Sequence, residues 1–103
     1  MRKLVRNGKV AVLVSSGFGA GWYSWHYNQE LLFDPDIVKM LELDWPRERI
    51  IAHCEKFYGE DFYYGGMDGL SIVWVPEGTK FRIDEYDGSE RLVKITDDVW
   101  IEA

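Results

Sequence analysis

Apolar spacing of helical period is confined to one block of this chain, between Asp34 and Gly59, and β-type patterning lies on both sides of it. Asp34-Pro35 is a helix start with a mechanism, because an aspartate cap accepts an orphan amide and proline loses nothing at the first helical position. Ile37, Val38, Met40 and Leu41 then share a face, which predicts a helix over Pro35–Leu43. Asp44 is positioned to cap a second helix over Trp45–Tyr58, with a stripe of Ile50, Ile51, Cys54, Phe57 and Tyr58 and a stop at Gly59.

Upstream, Asn7-Gly8 reads as a turn and Lys9–Ser15 as a β-branched strand. Trp22–Tyr27 alternates and reads as a second strand or an extended loop. Downstream, strands are expected at Leu70–Val75, Lys80–Tyr86, Arg91–Ile95 and Val99–Ile101, with Asp87-Gly88 as a hairpin turn. The order β(β)ααββββ segregates strands from helices. The expected fold is therefore a single α+β domain over 1–103, an antiparallel sheet of about five or six strands packed on a two-helix unit.

Composition narrows the function. The 103 residues carry a formal net charge of −6, which argues against general nucleic-acid binding, where affinity comes from neutralising phosphates. A small anionic ligand held by a few local groups stays open. The single cysteine, Cys54, excludes an intramolecular disulfide. No apolar run approaches the ~18 residues of a membrane span, and no apolar signal core follows the basic N-terminus, so a cytoplasmic protein is expected. Aromatic residues are abundant, with five Trp, six Tyr and five Phe.

No catalytic or metal-binding constellation emerges. Cys54 lies on the apolar stripe, where a thiol is buried and inert, and its neighbour His53 points about 100° away around the helix. Ser15, Ser16 and Ser24 lack the hydrolase elbow spacing. His26, His53 and Cys54 form no recognised zinc spacing, and the acidic pairs form no calcium loop. Neither an enzyme nor a cofactor is expected.

One segment does point to a ligand. Gly17, Gly19 and Gly21 follow the first strand with a spacing that matches neither dinucleotide nor P-loop fingerprints. Glycines of this density still allow an anion-binding nest of amides and close approach of a ligand to the main chain. Trp22, Tyr23 and Trp25 supply stacking faces, each such contact with a base being worth ~1–3 kcal/mol, and His26 supplies an edge hydrogen bond. A second run of aromatics into glycines, Phe62–Gly69, contributes Tyr64 and Gly66 as the facing wall. Arg2, Lys3, Arg6 and Lys9, with no acid among the first nine residues, would neutralise a phosphate if the leader folds nearby. The competing explanation is that these rings are core and these glycines are turns.

The C-terminal third has a different bias: Asp84, Glu85, Asp87, Glu90, Asp97, Asp98 and Glu102 stand against Arg91 and Lys94. Such a hairpin is either a charge-protected sheet edge or a surface that engages a basic groove of a protein partner.

The stretch Lys9 to Trp25, with Val-Ser-x-Gly-x-Gly-Ala-Gly-Trp at its centre, resembles small uncharacterised proteins of bacteriophages, prophages and gut bacteria. The run Trp74–Gly88 adds to the resemblance. A viral origin would imply a counter-defence role in the host cytoplasm, either sequestering a nucleotide-like signal or inhibiting a defence protein as anti-CRISPR proteins do. The leading expectation is a non-enzymatic protein for a small anionic or nucleotide-like ligand, with Gly17, Gly19, Gly21, Trp22, Tyr23, Trp25, His26, Tyr64 and Gly66 at the site. Its large apolar side chains also lead to the expectation of a homo-oligomer.

Overall fold

A computed structural model describes residues 1–17, 19 and 21–95. In chain order the elements are β1 (Val5–Arg6), β2 (Lys9–Ser15), α1 (Tyr23–His26), α2 (Glu30–Phe33), α3 (Pro35–Glu42), α4 (Arg47–Tyr58), a 3-10 turn at Met67–Gly69, β3 (Leu70–Pro76), β4 (Phe81–Tyr86) and β5 (Ser89–Lys94). The class is α+β, as expected, but the strands divide into two antiparallel sheets, β1-β2-β3 and the hairpin β4-β5.

The division follows from β2, which is apolar on both faces. Ala11 and Leu13 point into a core with Trp22, Leu31, Ile37, Val38, Ile50, Cys54 and Met67. Val12 and Val14, on the opposite face, pack with Leu32, Phe33 and Val75, and Phe81, Ile83 and Leu92 of the hairpin close over them. The hairpin lies across the sheet as a third layer. Two-residue turns set the registers: Asn7-Gly8 joins β1 to β2 with Arg6 opposite Lys9, and Asp87-Gly88 joins β4 to β5 with Tyr86 opposite Ser89. All four turn residues have positive φ, the geometry that matches strand twist.

Asp34 caps α3 as expected, its Oδ1 accepting from the amides of Asp36 at 3.0 Å and Ile37 at 3.2 Å. Three sequence expectations change. Trp22–Tyr27 is a helical turn rather than a strand, closed by the Tyr27 amide on the Tyr23 carbonyl at 2.7 Å, and a further turn at Glu30–Phe33 puts Leu31 in one core and Leu32 and Phe33 in the other. Helix α4 begins at Arg47, after Pro46. Asp44 is a left-handed connector with φ 54° and not its cap. Phe57 is 53% exposed, because α4 turns Ile50, His53 and Cys54 inward and leaves that ring beneath Arg2 and Lys56. The strand expected at Val99–Ile101 lies outside the described residues.

Candidate functional site

The basic N-terminal segment is pinned along the helical layer. The Ala11 amide donates to the Leu4 carbonyl at 3.0 Å, Arg6 forms a two-pronged contact with Glu42 at 2.6 and 3.1 Å, and Arg2 reaches Asp36 at 3.1 Å. Arg2 and Arg6 are therefore engaged with carboxylates of α3. Lys3 instead sits over the Phe33 ring, 4.7 Å from its centroid. Met1 lines two clefts of different chemistry.

The first cleft, about 380 Å³, is lined by Met1, Arg2, Glu30, Asp34, Pro35 and Tyr58. At its base the Asp34 Oδ2 lies 2.7 Å from His53 Nε2 and accepts from the Tyr58 hydroxyl at 2.7 Å. Burial alone would raise the pKa of the Asp34 carboxyl, but the Tyr58 and His53 hydrogen bonds together with the capping amide outweigh it and hold the value below the ordinary range. Burial, helped by the bond to Asp34, pushes the Tyr58 hydroxyl up. Asp34, Asp36 and His53 bring ligand-type atoms within 4.8 Å of one another. Those groups already hold each other and Arg2, so the arrangement works as a fastener between the start of α3 and the middle of α4. Beside it, burial pushes the Cys54 thiol up to about 12, so it carries no thiolate at neutral pH.

The second cleft, about 370 Å³, opens between α2 and β4. Tyr23, Phe33 and Phe81 give it aromatic walls, and Lys3, Lys80 and Arg82 give it three cations. Among the described residues that line it there is no carboxylate. Phe33 and Phe81 meet edge to face with centroids 6.2 Å apart. Arg82 is also held by Asp84 at 2.8 Å, which fixes the guanidinium at the rim.

The two glycine-and-aromatic segments do face each other, in direct contact. A Cβ on Gly66 would overlap the Gly21 carbonyl, and one on Gly69 would press on the Gly17 backbone. Ser15 Oγ donates to the Gly66 carbonyl at 2.8 Å. These glycines thus serve close passage of two backbones. Gly19, at φ 112°, donates its amide to the Asp87 carbonyl at 2.8 Å. Trp22 is fully buried, with its indole N–H on the Leu31 carbonyl at 2.7 Å, so its ring is core and offers no free stacking face. His26 stacks on Phe62, and its Nε2 lies 2.7 Å from the Tyr63 carbonyl. Tyr64 lies beneath Arg47, which is paired with Asp68. Trp25 stacks on Tyr63 and remains 48% exposed. Of the expected residues, Tyr23 alone lines the cationic cleft.

The amides that hold an anion flank the glycine run and do not belong to Gly17, Gly19 or Gly21, and the anion is the chain's own Glu90. Glu90 is 3% exposed, its Oε1 accepting from the Ser15 amide at 3.0 Å. Its Oε2 accepts from the Trp22 amide at 3.0 Å, the Ser24 amide at 2.8 Å and the Ser24 hydroxyl at 2.7 Å. Other acids of the hairpin are also engaged: Asp84 with Arg82 and Arg91, and Glu85 with the Gly88 amide. Asp97, Asp98 and Glu102 lie outside the described residues.

The cleft residues Phe33, Lys80, Phe81 and Arg82 carry no local motif that would single them out, because they come from two elements joined only by the tertiary fold. Glu90 did carry a signal. It lies on the same hairpin face as Leu92 and, across the register, Ile83, so a carboxylate was placed on a core-facing side. No protein-family model, curated protein or solved structure matches the chain.

Proposed function

We propose that this chain is a non-enzymatic binding protein that takes a small anionic aromatic molecule, of nucleotide-like size and chemistry, in the cleft between α2 and β4. The observation that carries the reading is charge against the background. Lys3, Lys80 and three aromatic rings line one cleft with no carboxylate among its described lining, and Arg82 stands there paired with Asp84, in a chain whose net charge is −6. A local positive field in an acidic protein concentrates anions where the rings can receive a planar group. The volume, about 370 Å³, falls in the range of small-molecule sites. Relative to the sequence-based expectation, the anion is received by Lys3 and Lys80, with Arg82 shared with Asp84, and the amides of Ser15, Trp22 and Ser24 beside the glycine run belong to Glu90. Sequestration of a nucleotide signal during counter-defence is the biological use this chemistry would serve.

Thermal shift and calorimetry against mononucleotides, cyclic nucleotides and naphthalene-1-sulfonate test it. A ligand at ten times its Kd adds about 1.4 kcal/mol, which raises Tm by roughly 6–11 °C in a domain of this size. The shift should vanish in Lys80→Glu. If nothing in the panel moves Tm at millimolar concentration, the reading fails.

A second reading, a surface for a protein partner, draws on the exposed Trp25–Tyr63 stack, whose centroids are 5.9 Å apart. Exposed aromatic pairs are the residue type on which binding energy concentrates. Substituting both with alanine would abolish partner capture while leaving small-molecule binding intact.

A further inference from the structure

We infer that Glu90 is the positioning residue of the cationic cleft, joining its two walls from behind without lining it. The inference rests on the ligand reading above and specifies what sets the site's geometry. Tyr23, the wall contributed by α1, stands between Trp22 and Ser24, and the amides of both neighbours donate to the same Glu90 oxygen, at 3.0 and 2.8 Å. The opposite wall, Phe81–Ile83, belongs to β4, which is paired to the strand bearing Glu90 with Ile83 opposite Leu92. The other oxygen holds the Ser15 amide at the end of β2. One carboxylate therefore fixes the glycine-loop end of the central sheet, the turn carrying Tyr23 and the hairpin carrying Phe81 and Arg82.

The chemistry explains why the residue is glutamate. Its four hydrogen-bond partners are all neutral donors, three of them main-chain amides, and a carboxylate accepts on both oxygens. Glutamine would turn an NH₂ group toward amide donors, and aspartate is one methylene too short to span the same gap. Among the described residues, the other hydrogen bonds between hairpin and loop, Ser89 Oγ to the Ser16 carbonyl at 2.9 Å and the Gly19 amide to the Asp87 carbonyl, lie toward the hairpin tip. With Glu90 removed, the walls keep their residues and lose their spacing, and affinity falls because the site is no longer preorganised.

The test is Glu90→Ala, with Glu90→Gln as the shape-conserving variant, read by calorimetry with naphthalene-1-sulfonate and by amide hydrogen exchange. Affinity is expected to fall about tenfold or more. Exchange is expected to accelerate at Tyr23–Ser24 and Phe81–Ile83 but not at Ile50–Cys54, whereas general destabilisation would raise it everywhere. Millimolar acetate should restore both readouts in Glu90→Ala, since it supplies the carboxylate and methyl carbon that the substitution removes. If Glu90→Ala fails to fold, Glu90→Gln is expected to show the same wall-specific exchange and a smaller loss of affinity. Wild-type affinity in both variants, or exchange that rises uniformly and ignores acetate, overturns the proposal. If the wild type binds no probe, the ligand reading fails, and the exchange pattern with acetate rescue still decides whether Glu90 holds the two walls.

Discussion

Replacing Asp34 separates two functions of one buried carboxylate. Its Oδ1 caps α3 through two amides, and its Oδ2 meets His53 and Tyr58. Asp34→Ala removes both. Loss of a cap costs about 1 kcal/mol, and leaving buried His53 and half-buried Tyr58 without their acceptor costs ~1–3 kcal/mol each, so the total is on the order of 3–7 kcal/mol. That is a large share of the ~5–15 kcal/mol by which a domain of this size is stable. Asp34→Asn keeps a competent cap and alters the Oδ2 side alone, which predicts a smaller loss of ~1–3 kcal/mol. The two variants also differ in how they depend on acid. Because the folded carboxyl is held below its ordinary value near ~4, its contribution is fully present above that pH and is lost as pH falls through the folded value. Urea denaturation followed by circular dichroism should therefore show a wide gap between wild type and Asp34→Asn at pH 7 that narrows as pH falls below the ordinary carboxyl range. An equal gap at neutral and acid pH would refute the electrostatic part. An Asp34→Asn loss as large as that of Asp34→Ala would refute the division between cap and fastener.

Two further outcomes follow from the same structure. Cys54, with its thiol pushed up to about 12 and no surface exposed, should resist iodoacetamide at pH 8 in the native protein and react fully once the chain is unfolded in urea. Gly66→Ala should destabilise by about 1–3 kcal/mol, seen as a lowered urea midpoint, because its new Cβ meets the Gly21 main chain, which has little room to move.

The parts of the fold legible in the sequence were those governed by local chemistry. Asp34-Pro35 announced a cap, Asn7-Gly8 and Asp87-Gly88 announced turns, and the β-branched run of β2 announced a strand covered on at least one face, which the structure covers on both. Trp22–Tyr27 misled because a dense aromatic run, with Trp22, Ser24 and His26 on one side and Tyr23, Trp25 and Tyr27 on the other, imitates a strand. The backbone is instead captured by Glu90, which lies 66 residues beyond Ser24 and cannot be seen from the segment itself. The glycine loop was read as a cradle of amides for an outside anion, whereas the amides that meet a carboxylate are those of Ser15, Trp22 and Ser24 on either side of it, and the carboxylate comes from Glu90 far along the chain. Among the candidate site residues, Tyr23 reached the cationic cleft. Trp22 went to the core, and Gly17, Gly21 and Gly66 went to backbone contact. Lys80, Phe81 and Arg82 had looked like one alternating strand, and the binding role proposed for them depends on α2 bringing Phe33 alongside Phe81.

Mapping amide chemical shifts while naphthalene-1-sulfonate and adenosine monophosphate are titrated into the wild-type protein tests the central claim most directly. The account predicts saturable shifts centred on Lys3, Tyr23, Phe33 and Thr79–Ile83, with the Trp25–Tyr63 face unchanged. Shifts that never saturate, or that centre on Trp25 and Tyr63 while the cleft stays silent, would contradict it.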